Sequence, residues 1–267
     1  MLSGDGTTIA YLTAGAGPAV IVVPGVLSTA SDYRAFAAAL AERFTVHTIE
    51  RRGRGASGPQ GAGYSIAKEC EDVLAVRRET GASLLVGHSY GGLVALEAGR
   101  CDHAFRRIAV YEPGVSIGGS MPVSWMPRCE RELADGRRTD ALVTFTLADA
   151  PPPISLIPRP LMKLLMLVIL TRPEYRHMPD LLPQTLCEWR EIARLDDSYG
   201  SYRQIAADVL LMYGGRSRSR AVDLVVQHLP AAVRSCETHV FPKLDHFGIE
   251  RTAPREVAAA VAAFFTK

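Results

Sequence analysis

Ser83-Leu84-Leu85-Val86-Gly87-His88-Ser89-Tyr90-Gly91-Gly92 is the stretch that decides how the rest of the chain is read. Its first four residues form a short apolar run, the pattern of a buried strand, and Leu93–Gly99 reads as a helix. Between them Gly87-His88-Ser89-Tyr90-Gly91 has the form Gly-x-Ser-x-Gly. A strand-to-helix turn of this kind holds its serine in a strained conformation, and small flanking residues let neighbouring backbone approach. The turn exposes Ser89 Oγ beside a helix N-terminus, where partial positive charge favours a developing anion. Short Gly/Ser patterns recur by chance, and the strand before and helix after give this one its weight. The alternative is a plain glycine-rich βα turn.

Upstream, strand and helix patterns alternate. Thr7–Thr13 reads as a strand, Val20-Ile21-Val22-Val23 as a strand buried on both faces, and Thr45–Ile49 as the next. Ser31 can cap a helix running to about Arg43, and Ser65–Thr80 has apolar residues at helical spacing. Downstream, Arg107–Tyr111 is a further strand. Such alternation predicts an α/β fold with a mostly parallel sheet flanked by helices. From about Val115 to Asp197 prolines break the rhythm, among them Pro151-Pro152-Pro153, and helical patches at Glu130–Ala134, Leu161–Leu170 and Leu186–Leu195 lack strand partners. The pattern resumes with strands at Val209–Tyr213 and Thr238–Phe241 and helices at Ala221–Leu229 and Pro254–Phe265. The expected organisation is a core of residues 1–114 and 198–267 with an inserted helical segment, 115–197.

Composition narrows the function class. In 267 residues, 30 Lys and Arg face 28 Asp and Glu, a formal net charge of +2. No basic excess points to nucleic acid. The five cysteines (Cys70, Cys101, Cys129, Cys187, Cys236) are scattered, odd in number and without a Cys-x-x-Cys pair, which favours a reducing, cytoplasmic setting over a disulfide framework. Residues 1–10 lack the basic and apolar regions of a signal peptide. The most apolar stretch, Leu161–Leu170, is half the roughly 20 residues a membrane span needs, so stable membrane insertion is not expected. No His/Cys/Asp spacing suggests a metal site.

The chain resembles the α/β-hydrolase family over nearly its whole length. The matching pieces are Asp5-Gly6 with Ile9-Ala10-Tyr11, Val22-Val23-Pro24-Gly25, Arg52-Gly53-Arg54-Gly55-Ala56-Ser57, the turn at Ser89, and Leu244-Asp245-His246-Phe247-Gly248. The resemblance implies a serine-nucleophile enzyme with a cap inserted after the strand that follows the nucleophile. His246, in the loop between the last strand and the last helix, takes the position of the family's catalytic base. His88, beside the serine, reads as structural. The family's acid usually follows the strand equivalent to Val209–Tyr213, but Gly214-Gly215-Arg216-Ser217-Arg218-Ser219-Arg220 has no carboxylate. Glu112, at the carboxyl end of Arg107–Tyr111, is the alternative strand end used by some members and a place where parallel sheets build sites. Glu112 is therefore expected to be the acid that orients His246; its other reading is a hydrogen-bond anchor that supports the site without orienting the histidine. Asp223 is the runner-up, and Asp245 is read as loop-shaping. The oxyanion donors should be the backbone N–H groups of Tyr90 and Val26. Arg51, Arg52 and Arg54 either recognise an anion at the pocket mouth or pair with nearby acids. Arg216, Arg218 and Arg220 read as a solvated loop.

The inserted segment carries Trp125, Met126, Leu161 and Leu165 among its apolar residues, an expected lining for a lipophilic substrate. The function expected is cofactor-free cleavage of a small-molecule ester or lactone through an acyl-enzyme. The same fold also supports acyl transfer, cyclisation, lyase chemistry or C–C hydrolysis, or a binding protein with a vestigial triad. The sequence is silent on oligomeric state.

Overall fold

Strands whose residues are apolar on both faces need cover on both sides, and the sheet is built accordingly. In a computed structural model, which describes residues 1–148, 150 and 154–267, seven strands form one sheet. They are β1 (Ala10–Ala14), β2 (Ala19–Val23), β3 (Thr45–Glu50), β4 (Leu84–His88), β5 (Arg107–Tyr111), β6 (Asp208–Gly214) and β7 (Cys236–Phe241), in the order β1-β3-β2-β4-β5-β6-β7. Only β1 runs antiparallel to its neighbour. The two-residue alternation sends Ile21, Val23, Leu85, Ile108, Val110, Val209 and Leu211 to one face. It sends Val20, Val22, Val46, Leu84, Val86, Ala109 and Met212 to the other. Helices α1 (Arg34–Leu40) and, at the chain's end, α9 (Pro254–Phe265) cover the second face; α2 (Ile66–Thr80), α3 (Tyr90–Cys101) and α8 (Arg220–Ala232) cover the first.

Between β5 and β6 lie α4 (Met126–Ala134), α5 (Arg138–Ala148), α6 (Arg159–Ile169) and α7 (Leu182–Arg194). The triple proline read as a break in this region lies outside the described residues. Helix α5 has no counterpart in the sequence reading. It buries Ala141, Leu142, Val143 and Thr144 in succession, so no 3.6-residue stripe marks it. The helix expected from Ser31 to Arg43 is instead a 3₁₀ turn, Ala30–Tyr33, followed by α1. The Asp32 carboxylate, accepting from Thr29 N–H at 2.7 Å, closes that turn. The described residues contain no helix long and apolar enough to cross a membrane.

The register fixes where chemistry can sit. Strands β4 and β5 run side by side to a last pair, His88–Tyr111, so Ser89 and Glu112 emerge at adjacent carboxyl ends. Met212 of β6 pairs with Tyr111, which brings the β6 loop up to Glu112.

Candidate active site

Ser89 leaves β4 with φ +53° and ψ −123°, a region costing a non-glycine residue on the order of 1–3 kcal/mol. Glycine is required beside it. A Cβ on Gly91 would stand 2.1 Å from Val23 O, and one on Gly87 2.3 Å from Gly91 O. Among the described residues five non-glycine residues have positive φ, and three of them, Leu27, Ser89 and Glu112, line one cavity. Concentration of strain at a single site is a functional signature that the sequence reading did not contain for Leu27 or Glu112.

The structure brings Ser89, His246 and Glu112 to that cavity, of about 350 Å³. His246 Nδ1 lies 2.8 Å from Glu112 Oε2. An ionised carboxylate only accepts, so Nδ1 carries the proton and Nε2 keeps its lone pair. Ser89 Oγ makes no hydrogen bond among the described residues; unliganded sites often hold this contact open until substrate binds. Glu112 Oε1 accepts from Gly214 N–H at 2.8 Å and from the Ser217 hydroxyl. The loop after β6, which carries no acid, thus supplies two donors to the acid on β5. Asp223 is exposed on α8 and, among the described residues, makes no hydrogen bond or ion pair with His246. Burial pulls the His246 imidazole down, but its hydrogen bond to Glu112, with the charges of Glu112, Glu250 and Asp245, outweighs this and holds it above its ordinary value.

His88 is buried and neutral in role. The Tyr33 hydroxyl accepts from Gly25 N–H at 3.0 Å and donates to His88 Nδ1 at 2.5 Å. His88 Nε2–H then donates to the His246 carbonyl at 2.9 Å. Burial first, then the His246 charge, depresses its basicity far below the usual range. This relay joins the turn after β2 to the His246 loop. Tyr33 was missed because nothing in its sequence neighbourhood distinguishes it from an ordinary core aromatic.

Val26 lines the cavity, and Gly25 approaches the elbow so closely that a Cβ there would be 3.2 Å from Ser89 Cβ. The N–H groups of Val26 and Tyr90 make no hydrogen bond among the described residues. The Tyr90 side chain turns away, its hydroxyl 2.8 Å from that of Tyr64.

One expectation about the pocket is corrected. Trp125, Met126, Leu161 and Leu165 do not line the cavity. Trp125 is buried behind it, edge-on to Phe145 and Trp189, and Met126 is buried beside it in the core. On α6 the inward stripe is Met162 and Met166, which leaves Leu161 and Leu165 facing solvent. The apolar lining instead includes Met121, Phe145, Ile154, Met178, Trp189 and Val222. Arg51, Arg52 and Arg54 are fully buried in ion pairs, with Glu69 and Glu188, with Asp72 and Asp5, and with Glu188 respectively, and so are not at the pocket mouth. Arg216, Arg218 and Arg220 are exposed.

His177, between α6 and α7, ties the inserted segment to the turn after β2. Its Nε2 is 3.1 Å from Leu27 O and 3.3 Å from Asp32 Oδ2. The hydrogen bond to Asp32 raises His177 above its ordinary value against partial burial. Burial pushes Asp32 up, but the bonds from His177 and Thr29 outweigh it and keep the carboxyl low. A histidine raised on folding stabilises fully below about pH 6.5 and loses that contribution as pH climbs through its folded value. Against His177→Gln, which keeps a donor for Leu27, the wild type should therefore show a higher urea midpoint at pH 5.5 and no advantage at pH 9. A pH-independent difference would contradict the ion pair.

Residues 20–260 match the model of the alpha/beta hydrolase family, and the chain belongs to that family. It is similar over 99% of both chains to an alpha/beta hydrolase from Sphaerobacter thermophilus, at 27% identity and TM-score 0.84. An enol-lactonase from Burkholderia xenovorans (19% identity, 98% of each chain, TM-score 0.70) and an esterase from Exiguobacterium antarcticum (17%, 100% of this chain and 98% of that one, TM-score 0.74) share the fold. Among curated sequences, an uncharacterized protein of Mycobacterium tuberculosis is 35% identical over 94 residues; the match spans 33% of this chain and only 26% of that protein.

Proposed function

We propose that this protein is a serine hydrolase that cleaves a small carboxylic ester or lactone through an acyl-enzyme. The observation that carries the reading is the 2.8 Å contact between His246 Nδ1 and Glu112 Oε2, at the edge of an elbow serine in a shared, largely apolar cavity. Ser89 Oγ attacks the carbonyl carbon while His246 Nε2 takes its proton. Glu112 fixes the tautomer and stabilises the imidazolium. The N–H groups of Val26 and Tyr90 receive the developing oxyanion, each such donor being worth about 10²–10³ in rate. His246 then protonates the leaving alkoxide, and water activated by the same ring releases the acid. No cofactor enters these steps.

Residues 115–197 act as a cap: Met121, Phe145, Ile154, Met178 and Trp189 close the cavity over Ser89. About 350 Å³ is at the small end of ligand pockets and suits a compact substrate rather than an extended chain. The test is hydrolysis of 4-nitrophenyl butyrate. Wild type should turn it over, and Ser89→Ala should lower kcat by about 10⁴ or more with an unchanged melting profile. Turnover that survives Ser89→Ala would remove the serine from the reaction.

A further inference from the structure

The cavity is lined by one Arg or Lys among its described residues, Arg251, and it belongs to neither arginine cluster of the sequence. Its position follows from an irregular turn. After His246 the backbone makes a single π turn, Gly248–Thr252, with Thr252 N–H donating to Phe247 O at 3.1 Å and Ala253 N–H to Gly248 O at 3.0 Å. The extra residue in such a turn re-aims side chains and is common at functional sites. Here it presents two consecutive residues, Glu250 and Arg251, to the same cavity.

The Arg251 guanidinium packs against two aromatic rings. Its carbon is 4.5 Å from the Tyr175 ring centroid and 5.2 Å from that of Phe247. Phe247 stands edge-on to His246 at 5.6 Å, so the cation sits on the His246 side of the site. Its Nε is 2.9 Å from Glu250 Oε1. The two Nη groups make no hydrogen bond among the described residues, and the side chain is 28% exposed. Glu250 is itself occupied, its Oε2 accepting from the Ser28 hydroxyl at 3.0 Å. Burial pushes the Glu250 carboxyl above its ordinary value, against the opposing influence of Arg251 and Ser28. A planar cation packed against two aromatic rings, with both outer donors unspent beside a reacting centre, is pre-organised for a planar anion.

We propose that Arg251 is an anion subsite and that the ester or lactone cleaved at Ser89 carries a carboxylate, received by the Arg251 Nη groups. The proposal rests on the reading of Ser89 as nucleophile for its reaction, and on the cavity alone for its binding. It places selectivity on a residue that takes no part in bond making.

Two matched ester pairs test it, one with the carboxylate on the acyl side and one with it on the leaving side: the 4-nitrophenyl hemiester of glutarate against 4-nitrophenyl butyrate, and 4-carboxyphenyl acetate against phenyl acetate. For each pair the ratio of kcat/KM, anionic over neutral, is compared between wild type and Arg251→Gln. A purely structural role, holding Tyr175 against the core, would lower both members of a pair together. The subsite predicts that the ratio falls at least threefold in one pair, and by about tenfold for each charge-assisted bond lost. Ratios that change less than threefold in both pairs overturn it. If no ester is turned over, the hydrolase reading fails separately, and calorimetric titration of glutarate into Ser89→Ala and Ser89→Ala/Arg251→Gln decides the subsite. Saturable binding that weakens at least threefold on loss of Arg251 supports it; equal binding, or none to either, overturns it.

Discussion

Glu112→Gln should lower kcat/KM for 4-nitrophenyl butyrate by about 10³–10⁴ while the protein remains folded. Gly214 N–H and the Ser217 hydroxyl both donate to Oε1, so the amide oxygen of a glutamine stays there. The NH₂ then faces His246 Nδ1, which must become an acceptor. The ring proton moves to Nε2, and the base no longer has a lone pair for Ser89. The pH profile gives a second readout. In the wild type Glu112 helps hold His246 above its ordinary value of about 6.5, so kcat/KM should fall on the acid side through a value above 6.5. In Glu112→Gln that limb should shift downward. Asp223→Asn, on the exposed face of α8, should change neither rate nor profile. Inactivation by Asp223→Asn with Glu112→Gln still active would reverse the assignment of the acid.

Glu188→Ala should destabilise the fold by about 3–5 kcal/mol, read as a fall in melting temperature of about 10 °C. Glu188, on α7, accepts at Oε1 from Arg51 Nη2 at 2.9 Å and Arg54 Nη2 at 2.7 Å, and all three side chains are fully buried. Removing the acid leaves two cations in a dry site, Arg54 with no other acidic partner among the described residues. The effect reaches the cavity as well. Arg51 Nη1 donates to Gly25 O at 3.1 Å, and the guanidinium lies 4.6 Å over the Tyr90 ring. Arg51 therefore supports both turns that frame Ser89 from beneath. A Glu188→Ala protein as stable as wild type would show that the arginines find other partners.

Much of this was legible in the chain because strands buried on both faces and a Gly-x-Ser-x-Gly turn leave strong local marks. Ser89, Glu112 and His246 each follow directly on a strand end or a recognisable loop. What was not legible depends on contacts far apart in sequence. The donors that hold Glu112, Gly214 N–H and the Ser217 hydroxyl, lie about a hundred residues away on the β6 loop and were not foreseen. The pocket lining was misassigned because α6 is apolar around most of its circumference, and hydrophobicity alone does not say whether Leu161 and Leu165 or Met162 and Met166 face inward. For the three arginines in four residues the choice between an anion site and ion pairs stayed open in the sequence, because the acids that pair with them come from residues 5, 69, 72 and 188. The π turn that aims Arg251 has no sequence pattern of its own.

The central claim is that Ser89 is a nucleophile activated by His246. Incubation with a fluorophosphonate, followed by mass mapping of the peptides, measures it without knowledge of the natural substrate. The geometry predicts a single stoichiometric adduct on Ser89 that is absent in Ser89→Ala and slowed at least a hundredfold in His246→Ala. An unlabelled Ser89 in folded wild-type protein, or an adduct on another serine that survives Ser89→Ala, would contradict it.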